Sequence, residues 1–64
     1  MNYSEFYHEN SGKNVEVIMT DGEVFSGKLF GYISEADNEP NPESIIVGDT
    51  ELYTNETERC TVSE

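Results

Sequence analysis

The chain has 64 residues and one cysteine, and its fourteen acidic and three basic side chains give a formal net charge of −11. This charge disfavours binding to the phosphate backbone of a nucleic acid. The length predicts a single domain over residues 1–64, which leaves little room for a catalytic pocket. Because Cys60 is the only cysteine, an internal disulfide and a cysteine metal cluster are excluded. Because no stretch matches a membrane span of about 20 apolar residues or a secretion signal, we expect a soluble, cytoplasmic protein with no membrane partner. The sequence also shows no catalytic constellation and no glycine-rich phosphate loop, so we expect no enzymatic activity and no cofactor.

Residues 2–10 are predicted to form a short N-terminal helix. Tyr3, Phe6 and Tyr7 recur at helical spacing, and Gly12 has the position of a left-handed residue that ends a helix. A helix this short is marginal in water by itself, so we expect its aromatic side chains to pack on the rest of the domain. We interpret His8 as an exposed polar residue, because the sequence places no second ligand or nucleophile beside it.

The centre of the chain, residues 13–33, is predicted to form a β-hairpin. Apolar residues alternate with others from Val15 to Met19, and Asp21-Gly22 then gives a strong signal for a tight turn. A two-residue turn and a three-residue loop both fit this signal. The choice between them decides which residues of the second strand face the core.

The hydrophobic pattern favours the three-residue loop. A two-residue turn pairs Val17 with Ser26, whereas a three-residue loop with a left-handed Gly22 pairs Val17 with Phe25. A slip by one residue would move the whole second strand to the wrong face. The predicted inward face consists of Val15, Val17, Met19, Phe25, Leu29 and Ile33.

The second strand of this hairpin is predicted to bend. Gly27 and Gly31 lie on its inward face, and two glycines in one strand are typical of the corner of a small barrel. The opposite face is also partly apolar, so we expect the helix, a partner subunit or both to cover it. Its apolar members are Ile18, Val24, Phe30 and Tyr32.

Residues 34–44 are predicted to form an acidic loop without regular structure, because prolines and asparagines interrupt every periodic pattern. The loop contains oxygen ligands that suit calcium: Glu35, Asp37, Asn38, Glu39 and Glu43. Their spacing does not match the twelve-residue calcium loop, and the glycine of its sharp turn is missing. We therefore expect a solvated loop and no metal site.

Three further strands are predicted in the C-terminal third, at residues 44–47, 51–54 and 59–63. The first is a β-branched run typical of a strand buried on both sides, the second has Leu52 or Tyr53 inward, and the third has Cys60 and Val62 inward. The turns between them are Gly48-Asp49-Thr50 and one helical turn at residues 55–58 capped by Asn55. With the bent hairpin, these strands predict a mostly β fold, a small five-stranded barrel with an N-terminal helix.

About half of the chain resembles the first motif of the Sm-like fold, an SH3-like barrel, and small bacterial Sm-like proteins in particular. The matching residues are Gly12, Lys13, Val15, Val17, Asp21, Gly22, Phe25, Gly27, Leu29, Gly31 and Tyr32. The resemblance implies RNA binding by rings of subunits, in which neighbouring subunits pair through their fourth and fifth strands.

The RNA-contacting positions that the resemblance implies are not matched. Ile33 stands where the family usually has an aspartate, and Asp37-Asn38 lies in a longer acidic loop instead of the short connection. The arginine-glycine motif before the last strand is replaced by Tyr53-Thr54-Asn55. The barrel is therefore supported by the resemblance, whereas the uridine pocket is not.

Three hypotheses of function follow, and none needs a catalytic residue. The first is a small acidic interaction module that binds a protein partner, which could be a basic protein, or that self-associates through its strand edges. For self-association, a dimer is favoured over larger rings. The second is a Sm-like RNA-binding protein, which the charge disfavours. The third is an acidic mimic of nucleic acid that occupies a nucleic-acid-binding protein. The candidate interaction surface comprises Phe30, Tyr32, Tyr53, Asp37 and Asn38.

Overall fold

A computed structural model describes residues 2–63 of the chain. Its elements are α1 (Tyr3–Asn10), β1 (Asn14–Met19), β2 (Val24–Ile33), α2 (Glu35–Asn38), β3 (Ser44–Val47), β4 (Thr50–Tyr53), a 3-10 turn (Thr54–Glu56) and β5 (Thr57–Val62). The helix and the five strands confirm the prediction of a mostly β fold with an N-terminal helix.

The five strands form one antiparallel sheet in the order β4-β3-β2-β1-β5. Leu52 of β4 and Cys60 of β5 lie at opposite ends of this order and still belong to one core cluster, so the sheet curves around a shared interior. The buried members of that cluster are Tyr3, Val15, Val17, Met19, Leu29, Ile45, Val47, Leu52 and Cys60.

The sheet does not close into the predicted barrel, since within residues 2–63 no strand pairing joins β4 to β5. The connection between these strands is anchored at its two ends to different parts of the molecule. The Thr54 amide donates to the carbonyl of Glu43 at 3.0 Å, and the carbonyl of Glu56 accepts from the Thr20 amide at 2.9 Å. These anchors lead β4 and β5 away from each other instead of into a hairpin.

The register of the β1–β2 hairpin is the one that the hydrophobic pattern favours. Val17 pairs with Phe25 and Val15 pairs with Gly27. Gly22 has a φ of +91°, and its amide donates to the carbonyl of Met19 at 3.0 Å. The three-residue loop with a left-handed glycine is therefore confirmed.

Gly27 lies where two backbones approach closely. Its φ is +155°, a value that residues with a side chain rarely adopt. A β-carbon at this position would lie 3.4 Å from the backbone nitrogen of Gly48. The carbonyl of the next residue, Lys28, accepts a hydrogen bond from the same Gly48 amide at 2.8 Å. The glycine thus allows the β3–β4 turn to pack against the bend in β2.

A bulge interrupts β2 after Leu29. Leu29 pairs with Val47, but the next pair joins Gly31 to Ile46, so Phe30 is one extra residue relative to β3. An extra residue reverses the side of the sheet toward which the following side chains point.

The bulge corrects the predicted faces at the end of β2. Tyr32 pairs with the fully buried Ile45 and packs against the core cluster. Strict alternation predicts Tyr32 on the outward face and Ile33 inward with Leu29, and this prediction is wrong because the period of two does not continue through Phe30.

The helix α1 begins at an Asn2 cap, whose side chain accepts a hydrogen bond from the Glu5 amide at 3.2 Å. Tyr3 is buried in the core cluster, and Phe6 and Tyr7 pack against it. The hydroxyl of Tyr3 also forms a hydrogen bond with the hydroxyl of Thr57 in β5. The predicted packing of the helical aromatic residues is therefore confirmed.

Two predictions in the second half of the chain need correction. The loop after β2 contains the short helix α2, capped by Ser34, whose hydroxyl accepts from the Asp37 amide at 3.3 Å. Val62 lies on the inward face opposite the buried Val15, as predicted, but it is 38% exposed, because β5 is an edge strand and Val62 is its last residue. Leu52, in contrast, is the buried inward residue of β4.

Candidate interaction surfaces

Asn38, in α2, ties the acidic loop to the strands below it. Its amide donates to the carbonyl of Pro42 at 2.9 Å and to a carboxylate oxygen of Glu51 in β4 at 3.1 Å. The hydroxyl of the fully buried Ser44 donates to the same Glu51 oxygen at 2.7 Å. Asn38 thus holds the loop in place, while the neighbouring Asp37 is exposed to solvent.

Glu43 provides a second attachment of the loop. One carboxylate oxygen accepts a hydrogen bond from the Tyr32 hydroxyl, and the other accepts from the Thr54 hydroxyl at 3.1 Å. The hydrogen bond to Glu43, followed by desolvation and the negative charges of Glu43 and Glu35, raises the pKa of the Tyr32 phenol above its ordinary value. Tyr32 is thereby engaged within the molecule.

Phe30, the extra residue of the bulge, is 61% exposed. Its carbonyl accepts a hydrogen bond from the Tyr7 hydroxyl at 3.4 Å, and the Tyr7 ring stacks on Tyr32 with the ring centroids 6.4 Å apart. This contact places Phe30 at the junction of α1 and the sheet. A large exposed aromatic side chain is typical of a recognition surface.

Tyr53 lies on the other side of the sheet from Tyr32. Tyr32 pairs with Ile45 and Tyr53 pairs with Ser44, and the two residues of β3 are consecutive, so their partners face opposite ways. The structure therefore groups Phe30 with Tyr32 near α1, and it groups Asn38 with the β3–β4 strands. The five residues of the predicted surface do not form one continuous patch.

The strands β4 and β5 are the two edges of the sheet, and each is paired on one side among the described residues. Such an edge presents backbone amides and carbonyls that can pair with another extended segment. The exposed side chains beside these edges include three carboxylates, Glu51, Glu56 and Glu58, and one cation, Arg59 of β5.

A different surface lies on the convex side of β2, β1 and β5, where residues alternate with the buried ones. We call it the outer face. The pairings Ile18–Val24 and Ile18–Arg59 define one row across it, and Glu16 lies between Ser26 and Thr61 in the next. The outer face consists of Asn14, Glu16, Ile18, Val24, Ser26, Lys28, Arg59 and Thr61.

The charge of the outer face differs from that of the rest of the molecule. It carries two of the three basic residues, Lys28 and Arg59, and one carboxylate, Glu16. Its net charge is +1, so the other residues of the chain carry −12. Sequence reasoning anticipated the apolar Ile18 and Val24 on this face but missed its cations, although the alternation that places Cys60 inward also places Arg59 outward.

Enclosed pockets and metal-binding groups are both absent from the part of the chain that the structure describes. Residues 2–63 enclose no pocket and contain no group of three His, Cys, Asp or Glu side chains placed to hold a metal ion. Cys60 is buried, and this burial raises the pKa of its thiol to about 11, which opposes formation of a reactive thiolate at neutral pH. No helix among these residues has the length and apolar character needed to cross a bilayer.

Comparisons with protein-family models, with characterised proteins and with solved structures find no match to this chain. The fold and the surfaces described above are therefore the basis for any functional argument.

Proposed function

We propose that this protein is a non-enzymatic interaction module of the cytoplasm that binds protein through the uncovered edges of its sheet. The observation that carries the proposal is that β4 and β5, within the described chain, are each paired on one side. An extended segment of a partner can add to such an edge by main-chain hydrogen bonds.

The charge beside the edges favours a basic partner. Glu56 and Glu58 are exposed next to or within β5, and Glu51 is exposed in β4. A net charge of −11 also increases the encounter rate with a basic protein at low salt. A segment rich in lysine or arginine therefore suits these edges better than an acidic one.

The finer fold that we propose is an open Sm-like sheet. The N-terminal helix, the glycine-bent hairpin and the strand order β4-β3-β2-β1-β5 agree with the resemblance in the sequence. That resemblance implies contacts between copies, so self-association is part of the proposal. A dimer is favoured over a ring, because every added copy brings another −11 of charge.

Two other functions are tested alongside this one. The Sm-like hairpin favours RNA binding, but the net charge and the unmatched RNA-contacting positions oppose it. The excess of exposed carboxylates favours an acidic mimic of nucleic acid, which would compete with nucleic acid for a basic protein.

RNA binding is measured by the fluorescence anisotropy of labelled oligo-uridine, titrated with the protein at physiological salt and at higher salt. We expect no measurable binding. A low-micromolar affinity that weakens as salt is added would contradict the proposal and support the Sm-like RNA-binding function.

To test the edges, basic proteins are captured on the immobilised chain. Amide hydrogen exchange of the chain is then measured with and without the captured protein bound. We expect new amide protection in β4 or β5. Glu58→Lys should weaken capture more than Glu5→Lys, which makes the same charge change on the exposed side of α1. Equal weakening by both variants, without edge protection, would indicate that net charge alone attracts the partner, as in the mimic.

A further inference from the structure

Among residues 2–63, no other element covers the outer face. The aromatic residues of α1 pack against the core cluster, and the acidic loop is attached to Tyr32, Ser44, Glu51 and Thr54, none of which belongs to the outer face. On the outer face itself Val24 is 53% exposed, and its cross-strand partner Ile18 is half-buried. Two branched apolar side chains thus lie side by side at the surface of a strongly acidic molecule.

We propose that the outer face binds the outer face of a second copy of this chain, in a two-fold symmetric dimer. This inference rests on the proposed function as an interaction module and names a surface other than the strand edges for self-association. The occupant follows from the charge: the outer face carries +1, whereas the remaining surface carries −12. Two copies can come together here without pressing acidic surfaces against each other.

The pattern of charges on the outer face is complementary to itself. Glu16 lies one row from Arg59 and one row from Lys28, because Arg59 pairs with Ile18 and Lys28 pairs with Asn14. In a two-fold contact the same patch meets its own copy. With the two-fold axis midway between Glu16 and Arg59, Glu16 of one copy faces Arg59 of the other, and Ile18, beside that axis, is removed from water.

The strand edges are less suitable for a second copy. Pairing β4 or β5 with another chain would bring Glu51, Glu56 or Glu58 close to the same acidic residues or to the acidic loop of the partner. Like charges directly opposite each other in a sheet are destabilising. The outer face avoids this repulsion and leaves the edges free for a basic partner.

The contact is small, so the dimer is weak. Three strands spaced about 4.8 Å apart, with about 3.3 Å per residue along each, give a planar patch on the order of 200 Å² per copy. Standard protein interfaces bury about 800 Å² per partner. We therefore expect a dissociation constant in the high-micromolar range or weaker, which tightens with salt because screening reduces the repulsion between the two acidic bodies.

The test is sedimentation equilibrium of the full chain at millimolar protein concentration, at about 0.01 M and about 1 M sodium chloride, where the Debye length falls from roughly 30 Å to roughly 3 Å. Val24→Glu places a carboxylate on the outer face. Val62→Glu is the matched control: it makes the same change at an exposed valine of β5 that pairs with Val15 and so lies on the opposite face. Thr61→Glu repeats the outer-face test at an exposed site where no apolar group is lost.

We expect the wild type and Val62→Glu to dimerise at high salt, and we expect Val24→Glu and Thr61→Glu to remain monomeric while keeping the wild-type circular dichroism spectrum. Loss of the dimer in Val62→Glu but not in the outer-face variants would overturn the inference in favour of edge pairing, with the proposed function intact. A monomeric wild type at both salt concentrations would also overturn it. The proposed function itself fails separately, if capture of basic proteins gives no edge protection.

Discussion

The two halves of the sheet are held together by different forces. Between β1, β2 and β5 the interior is apolar, and the fully buried Val15 and Val17 lie between strands on both sides. Around β3 and β4 the acidic loop is fastened by carboxylates, with Glu51 accepting from Ser44 and Asn38. In the first half, shape and backbone geometry decide stability. In the second half, side-chain hydrogen bonds decide where the loop lies.

This difference also separates the charges. The loop needs Glu43 and Glu51 as acceptors, and it carries further exposed carboxylates at Glu35, Asp37 and Glu39. In the β1–β2–β5 half a carboxylate accepts in the β1–β2 turn, where Asp21 accepts from the Glu23 amide at 2.9 Å, and the outer face carries a net charge of +1. Substitutions in the two halves should therefore differ in size and in kind.

The largest effect is expected for Gly27→Val in the apolar half. The valine would have to adopt a φ of +155°, and its methyl groups would meet Gly48 and Val47 beyond a β-carbon already 3.4 to 3.6 Å from them. Strain and overpacking each cost about 1–3 kcal/mol, comparable to the total stability of so small a domain, so the variant should be largely unfolded. Ser26→Val, the neighbouring exposed position on the outer face, is the control.

Circular dichroism and thermal melting measure both variants. A melting temperature of Gly27→Val within a degree or two of the wild type would contradict the close approach of β2 and the β3–β4 turn. Ser26→Val should fold normally, because valine suits an exposed strand position.

A smaller effect is expected for Glu51→Ala in the loop half. The substitution leaves the hydroxyl of the buried Ser44 without its acceptor and removes one of the acceptors of the Asn38 amide, which costs about 1–3 kcal/mol. We expect the loss to be local, with faster amide exchange in α2 and β3 and little change in β1. Glu58→Ala removes an exposed carboxylate of β5 and should change stability by less than about 0.5 kcal/mol.

Chemical denaturation and amide hydrogen exchange distinguish these outcomes. Equal effects of Glu51→Ala and Glu58→Ala would mean that the carboxylate of Glu51 does not hold the loop.

The smallest effect is a dependence of stability on alkaline pH. The Cys60 thiol has its pKa raised by burial from 9.0 to about 11, so the unfolded chain ionises first. The contribution of Cys60 is therefore complete below pH 9 and is lost as the pH rises through about 11. The pKa of Tyr32 is also raised, by its hydrogen bond to Glu43, and its contribution is lost above pH 10.

Denaturant titrations between pH 8 and pH 11 of the wild type, Cys60→Ala and Tyr32→Phe separate the two groups. Each variant should have a flatter pH profile than the wild type, and Cys60→Ala should differ from pH 9 upward. A wild-type stability that stays constant up to pH 11 would contradict the burial of Cys60.

The hairpin was predictable because local signals determine it. Asp21-Gly22 specifies the turn, and alternating apolar residues specify the register, both within a few residues of chain. The bulge at Phe30 was not predictable in this way, because it depends on pairing with β3 about fifteen residues later. The same holds for Tyr32, whose predicted outward position assumed an unbroken period of two.

The candidate surface was predictable in part for the same reason. Exposure of Phe30 follows from its place in β2, but the role of Asn38 depends on Glu51, thirteen residues away in sequence. The outer face required two facts together: the register of β5 against β1 and the position of the few cations. Without that register, the sequence does not show that Lys28 and Arg59 lie on the same face of the sheet.

The most direct test of the outer face as a contact surface is a methyl NMR concentration series on the wild-type chain. Signals of Ile18 and Val24 are followed from low to millimolar protein concentration at high salt, with Val62 as the internal reference. We predict that the Ile18 and Val24 methyl signals shift with concentration while those of Val62 stay constant. Shifts confined to Val62 and the amides of β4 and β5, or no shifts at all, would contradict the account.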